Sequence, residues 1–358
     1  YPTEEQKILL GKTFGCCRFL YNQMLNDKIQ EYEKTKKMLK NTPAMYKREY
    51  PFLKEVDSLA LANVQLHLEK AYKNFFRDPK IGFPKFKSKH HSRNSYTTNV
   101  VNGNILVESK RIRLPKLKWI AMKKHREPAK GLRLKSVTVS MEPSGKYFAS
   151  LLYEGDSCEN QAAEPDYSTA KILGIDYAMQ GMAVFSEEIE MEEAGFFRKN
   201  EKRLVREQRK LSRCVRGSHN YELQKKKVAR CHEKIRNQRR DYLHKLSRKI
   251  VDSYDAVAVE DIDMKAMGQC LHFGKSVHDN GYGMFREMLD YKLAWKGKKI
   301  VKVDRFFPSS KKCCQCGRIK KELKLSERVY HCVCGNEMDR DRNAAINIRE
   351  EARRMLIA

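Results

Sequence analysis

Four cysteines near the end of the chain have the types and spacing of a metal site. Cys313 and Cys316 are separated by two residues, Cys332 and Cys334 by one, and fifteen residues lie between the pairs. A glycine follows each pair (Gly317 and Gly335) and lets the backbone turn tightly around an ion. Soft thiolates in a closed tetrahedral set suit structural Zn²⁺, and such a site folds a small module that has little core of its own. The second pair has a spacer one residue shorter than usual, so His331 and Cys314 stand beside it as substitute ligands.

Carboxylates offer a second chemistry. Asp176 ends the apolar run 172–176, Glu260 follows another at 256–259, and Asp341 lies in 339–345, just past the second cysteine pair. A lone carboxylate at a strand end is often only a cap. Three of them, two at strand ends and one opening a helix, suggest hard oxygen ligands for Mg²⁺ or Mn²⁺. Two such ions ~3.5–4 Å apart hydrolyse phosphodiesters, one activating water and the other stabilising the leaving 3′ oxygen. The histidines are dispersed, and no serine or cysteine triad pattern or glycine-rich phosphate loop competes for the chemistry.

The charge says what such a site would act on. The 358 residues carry 73 Lys and Arg against 45 Asp and Glu, a net +28 that calls for a polyanionic partner. Residues 198–250 alone hold 20 basic and 5 acidic side chains, more than half of the total excess. Like charges at helical spacing repel, and phosphates relieve that repulsion. Arg209, Arg213, Lys225, Lys226, Lys227, Arg236, Arg239 and Arg240 are the candidate nucleic-acid contacts. No apolar run is long enough to span a bilayer. The 11 cysteines, odd in number and scattered outside one cluster, fit a reducing cytoplasm better than a disulfide framework.

The elements that must position these groups read as α/β. Apolar periodicity predicts a helix over 4–30 and another starting at Ser58 as its N-cap, with Thr42-Pro43 breaking the charged run between them. The two helices are expected to form a small helical unit. The basic, aromatic segment 83–89 follows, and then alternating runs at 104–108, 111–114, 134–141 and 147–153 predict a small antiparallel sheet or barrel. Residues 154–170 read as a linker. Beyond it come a strand at 172–176 with a hairpin partner at 181–185, and two basic helices broken at 216–218, with Ser218 capping the second. A strand at 256–259, a helix at 285–295, a strand at 299–303 and a short helix from Asn343 complete the order.

In these residues the chain resembles the TnpB family, also called OrfB, of transposon-encoded proteins, and more distantly the miniature type V CRISPR effectors. The resemblance is carried by Gly174-Ile175-Asp176, by 232–247, by Val259-Glu260-Asp261, by 304–311, by the four cysteines and by 339–348. It covers essentially the whole chain in order, and the opening 1–6 falls just after the place of that family's first strand. It implies an α/β multidomain protein. An RNase H-like RuvC nuclease domain is expected at 171–308 and 339–358, with a zinc ribbon inserted at 309–338. A wedge-type β-barrel at 1–3 and 79–165 would carry a helical recognition insert at 4–78.

The resemblance further implies that Asp176, Glu260 and Asp341 form the catalytic, magnesium-binding triad, with Asp339 as the alternative third ligand. It implies a guide RNA transcribed from the transposon end and cleavage of double- and single-stranded target DNA beside a short motif. The setting is the prokaryotic cytoplasm, nucleoid-associated on DNA, and the basic helices would line the guide–target channel. The short second knuckle and the missing start depart from the pattern. Other readings are a nuclease-inactive RNA-guided repressor, a type V CRISPR effector with a repeat-derived guide, and a DNA-joining transposase. Retention of all three acids weighs against the first.

Overall fold

In the computed structural model, which describes residues 1–155, 165–177, 182–189, 196–262, 281–324 and 326–357, the chain divides into two units, Tyr1–Asp156 and Ser157–Ala358. Most of the expected linker, and Gly181 of the expected hairpin arm, lie outside the described residues.

The first unit opens with α1 (Glu4–Thr35). A capping box starts it: the Thr3 side chain accepts from the Gln6 amide and the Gln6 side chain accepts from the Thr3 amide. The helix runs past the expected end at 30 and stops where Lys36 turns left-handed, at φ 57°. Pro43 does not merely break the run; it occupies the first turn of α2 (Pro43–Glu49), where its missing N–H costs nothing. The cap of α3 (Ser58–Arg77) is Asp57 rather than Ser58: its Oδ1 accepts from the Leu59 amide at 3.0 Å. Ser58 is already helical, and its hydroxyl receives a bond from Lys47.

Six strands follow: β1 (Asn94–Asn99), β2 (Leu106–Val107), β3 (Arg111–Leu114), β4 (Lys118–Ala121), β5 (Arg133–Met141) and β6 (Tyr147–Glu154). They pair antiparallel as two three-stranded sheets, β1-β5-β6 and β2-β3-β4. The helices do not stand apart as a unit of their own. Leu20, Met24, Leu61 and Leu68 share one core with Tyr96, Ile112 and Val137. A two-helix layer is too thin to bury its own apolar stripes, so it borrows the sheets.

The second unit is built on β7 (Ile172–Tyr177), β8 (Ala183–Phe185), α4 (Phe196–Ser212), α5 (His219–Ser253), β9 (Ala256–Glu260), α6 (Tyr282–Trp295) and β10 (Lys299–Val303). A small antiparallel pair, β11 (Val329–His331) and β12 (Glu337–Asp339), leads into α7 (Arg340–Ile357). The last helix is not the short one expected from Asn343; it begins at Arg340 and is 18 residues long.

The main sheet has the order β10-β9-β7-β8, parallel except for the β7–β8 hairpin. Its central strands are continuous apolar runs because both faces are covered. On one face Leu173, Ile175, Val257 and Val259 pack with Leu246 and Ile250 of α5 and Phe285 and Leu289 of α6. On the other, Ile172, Ala256, Ala258 and Val301 meet Ile348 and Ala352 of α7. Helix α7 lies so close that a Cβ at Gly174 would sit 2.0 Å from the Ala345 carbonyl oxygen. Only glycine admits it there.

Candidate functional site

Parallel pairing aligns Ile175 with Val259, so Asp176 and Glu260 emerge side by side at the carboxyl edge of the sheet. That edge is where open α/β sheets place their ligands. Asp341 enters from the first turn of α7. Burial, followed by the charges of Glu260 and Asp341, holds the Asp176 carboxyl well above the usual range, with the Tyr177 amide and Arg340 only partly opposing. Burial also raises Glu260, against a hydrogen bond from the Ser309 hydroxyl to its Oε1. Asp341 has Arg340 Nε at 3.4 Å and Arg328 Nη1 at 3.7 Å. Asp339 is exposed, and its Oδ1 caps α7 by accepting from the Arg342 amide at 2.8 Å. The three carboxylates are half-buried, the charges of Glu260 and Asp341 both act on Asp176, and oxygen donors of this kind suit Mg²⁺ or Mn²⁺.

The cysteines converge more tightly. Among the described residues, the sulfurs of Cys313, Cys316, Cys332 and Cys334 are the one group of three or more ligand atoms all within 4.8 Å of one another. The Cys313–Cys334 and Cys316–Cys332 separations are 3.7 and 3.6 Å. Tetrahedral Zn–S bonds of about 2.3 Å require sulfurs ~3.8 Å apart, so the four thiols fit zinc. The one-residue spacer is accommodated by Gly335 at φ 89°. Neither substitute ligand joins the group. Cys314 turns its sulfur to Met338 Sδ at 3.4 Å, and His331 is exposed and paired with Glu337 at 3.4 Å. Burial opposes ionisation of Cys313, yet the amides of Cys316 and Gln315 and the Asn336 side chain bring its thiol down to about 6.

Because such an ion supplies folding energy directly, chelation is expected to melt 309–338 selectively. A single zinc per chain by elemental analysis, reduced by Cys316→Ser, checks this. A chain that retains its ribbon fold after chelation speaks against it.

The basic helices form a hairpin with a core of Leu204, Cys231 and Ile235, stapled where the Gln224 amide donates to the Glu207 carboxylate at 2.8 Å. Ser218 caps α5 as expected, accepting from the Tyr221 amide at 3.1 Å. Arg209, Arg213, Lys225, Lys226, Lys227, Arg236 and Arg240 are exposed. Arg239 is half-buried, with its stem laid against Gly281. An arginine packed in this way holds the hairpin to α6 as much as it offers charge.

Two residues near the acids escaped the sequence reading. Ser309 lies 49 positions from Glu260 and carries no spacing signal of the contact. Tyr282 is 1% exposed, stacks edge-on to Tyr177 at 4.8 Å, and its phenol is pushed up by burial and by the Asp176 and Glu260 charges.

Comparison with known proteins agrees with this layout. Residues 151–270 match the OrfB_IS605 family model, described as "Probable transposase". Residues 282–348 match the "Cas12f1-like, TNB domain" and residues 1–37 a "Helix-turn-helix domain", a span that here is essentially the single helix α1. A Streptomyces pristinaespiralis protein named as an RNA-guided DNA endonuclease is 33% identical over 97% of this chain and 86% of its own length. InsQ of Escherichia coli strain K12, named in the same way, is 31% identical over 97% of this chain and 89% of its own. The fold matches Cas12f1 in a complex with sgRNA and target DNA, with TM-score 0.58 and 15% identity over 97% of this chain and 83% of that one. With relatives of this identity aligned from end to end, the chain belongs to the TnpB (OrfB) family of RNA-guided DNA endonucleases.

Proposed function

We propose that this protein is an RNA-guided DNA endonuclease that cleaves target DNA by metal-dependent phosphodiester hydrolysis at Asp176, Glu260 and Asp341. The observation that carries the reading is the convergence of these acids, 84 and 81 positions apart in the chain, where Glu260 and Asp341 both oppose ionisation of Asp176. Mg²⁺ or Mn²⁺ bound there supplies a water nucleophile at neutral pH and neutralises the leaving oxygen. Asp176, Glu260 and Asp341 would hold the cation, with Asp176 serving as an ionised oxygen ligand. Ser309 orients Glu260, and Arg328 and Arg340 steady Asp341. Zinc held by Cys313, Cys316, Cys332 and Cys334 has a structural part only.

The exposed lysines and arginines of α4 and α5 bind the phosphate backbone without regard to sequence, with affinity that falls as salt rises. Sequence choice then rests on base pairing between target and a guide RNA from the transposon end, next to a short motif. In this reading 171–308 and 339–358 are the RuvC-like domain and 309–338 the zinc ribbon. Residues 1–3 and 79–165 form the wedge, with 4–78 as its helical recognition insert. The protein works in the prokaryotic cytoplasm.

Expression together with its native flanking DNA, sequencing of co-purified RNA, and Mg²⁺-dependent cleavage of a matching plasmid test the proposal. A defined RNA and cutting only at matched sites are expected. Purification without RNA, or cutting indifferent to the match, overturns it.

A further inference from the structure

The segment joining β10 to the first zinc knuckle is exposed or half-buried except where it turns inward at Ser309, and there its backbone carbonyls need partners. Two amides on one face of α7 supply them. Asn347 Nδ2 donates to the Ser309 carbonyl at 2.8 Å and to the Lys312 carbonyl at 2.6 Å. Asn343, one turn earlier, donates to the Lys312 carbonyl at 2.8 Å and accepts from the Cys314 amide at 3.0 Å. Asn343, Asn347 and Ser309 are 0%, 2% and 5% exposed, so water does not replace these bonds. Ser309 spends its own hydroxyl on Glu260 Oε1. A continuous hydrogen-bonded chain therefore runs from Asp341's helix, through the Ser309 loop, to Glu260, and the same chain seizes the knuckle that begins at Cys313.

We propose that Ser309 is a positioning residue that sets the Glu260 carboxylate for its cation, and that Asn343 and Asn347 set Ser309 by locking its loop to α7. The proposal rests on the reading of Glu260 and Asp341 as metal ligands. The physical argument is one of division of labour between two carboxylate oxygens. A hydroxyl that donates to Oε1 fixes the rotamer of the carboxylate and would leave Oε2 available to a cation. A carboxylate without that donor has to be ordered by the ion itself, and that ordering weakens binding. Partners of this kind change metal affinity or activity by about 10–100-fold when removed. The network also ties the first zinc knuckle to the supports of the acids through Asn343 and Asn347.

The test is a Mg²⁺ titration of cleavage by the guide-loaded protein, alongside Mn²⁺ binding to the same complex without target, followed by electron paramagnetic resonance. Ser309→Ala is expected to raise the Mg²⁺ needed for half-maximal cleavage by about 10-fold or more and to weaken Mn²⁺ binding by a similar factor. The zinc content should stay close to wild type, because the bonds from Asn343 and Asn347 go to backbone carbonyls that the substitution leaves in place. Ser309→Thr, which keeps the hydroxyl, should restore wild-type half-saturation. Asn347→Leu, which has the same number and branching of side-chain heavy atoms but lacks the two donors, should shift the titration in the same direction as Ser309→Ala.

A Ser309→Ala protein that melts earlier yet titrates like wild type has a merely structural serine, and the proposal is then wrong. Glu260→Gln separates the two levels. Inactivity of Glu260→Gln at every Mg²⁺ concentration, together with an unshifted Ser309→Ala, removes the positioning role alone. Cleavage by Glu260→Gln removes the metal-ligand reading and this proposal with it.

Discussion

Asp176→Asn abolishes DNA cleavage and, in the absence of divalent metal, raises the melting temperature. The two effects have one cause. Burial and the neighbouring charges of Glu260 and Asp341 raise the Asp176 carboxyl well above its ordinary value, so folding disfavours its ionised form. The sign follows from linkage. A carboxyl whose folded value exceeds the unfolded one, about 3.9, carries no penalty below that pH. The penalty grows as pH rises toward the raised value and stays above it. Metal-free wild type should therefore gain stability from this group on acidification through that window, the reverse of a salt-bridged aspartate. Asparagine removes the charge and with it the penalty; each kcal/mol relieved is worth roughly 2–4 °C in a domain of this size.

Adding Mg²⁺ should stabilise wild type by binding the native state and leave the variant nearly unmoved. Cleavage should fall by more than about 100-fold, because a ligand of the reacting cation is lost. In wild type at sub-saturating Mg²⁺, the rate should fall with pH through a midpoint above the usual aspartate range, and added Mg²⁺ should lower that midpoint. Calorimetric melting with and without Mg²⁺ and plasmid cleavage provide the measurements. A variant that melts lower than wild type without metal, or still cuts, contradicts the assignment.

Gly174→Ala is the second large effect, and it acts through backbone contact. The added Cβ would lie 2.0 Å from the Ala345 carbonyl oxygen and 2.9 Å from both Arg349 Cβ and its amide nitrogen. No rotamer change relieves a clash with a helix backbone, so α7 must move as a body. Overpacking of this kind costs about 1–3 kcal/mol, occasionally more, and backbone-on-backbone contact belongs at the upper end. That corresponds to a melting temperature lower by roughly 6–12 °C. The displaced helix carries Asp341, Asn343 and Asn347, so the cleavage rate should drop by about 100-fold even where the protein remains folded, as for a 1 Å misplacement of a catalytic group. Gly11→Ala, in α1 with nothing within 4 Å of its Cβ, is the control and should be neutral or slightly stabilising. A Gly174→Ala protein that melts and cuts like wild type would mean that the approach of α7 to β7 is not required.

Much of this protein is legible in local patterns. The seam of Val228, Cys231, Ile235, Leu246 and Ile250 predicts α5, and the apolar runs predict β7 and β9 as strands. The cysteine spacing already carries the convergence of four sulfurs, because a two-knuckle site is specified within 22 residues of chain. Caps and helix ends were less secure. Ser58 and Asp57 are both competent N-caps, and only the preference of the Leu59 amide for the Asp57 carboxylate decides between them. The start of α7 is hidden because its cap, Asp339, belongs to the preceding strand.

What spacing cannot express is contact between remote segments. The sequence by itself determined most of the longer elements, though not β1, β4 or α2, together with the cysteine cluster and the excess positive charge, and it singled out three acids at element ends. Tertiary structure decided that the Asp341 charge acts on Asp176, that Arg239 is half-buried against Gly281 while Arg240 stays exposed, and that a side chain at Gly174 would meet the backbone of α7. It also decided that Ser309, through Asn343 and Asn347, ties the zinc knuckle to Glu260. The reason is geometric. Periodicity and ligand spacing are properties of one short stretch, whereas a buried hydrogen bond or a 2.0 Å approach depends on where two folded elements come to rest.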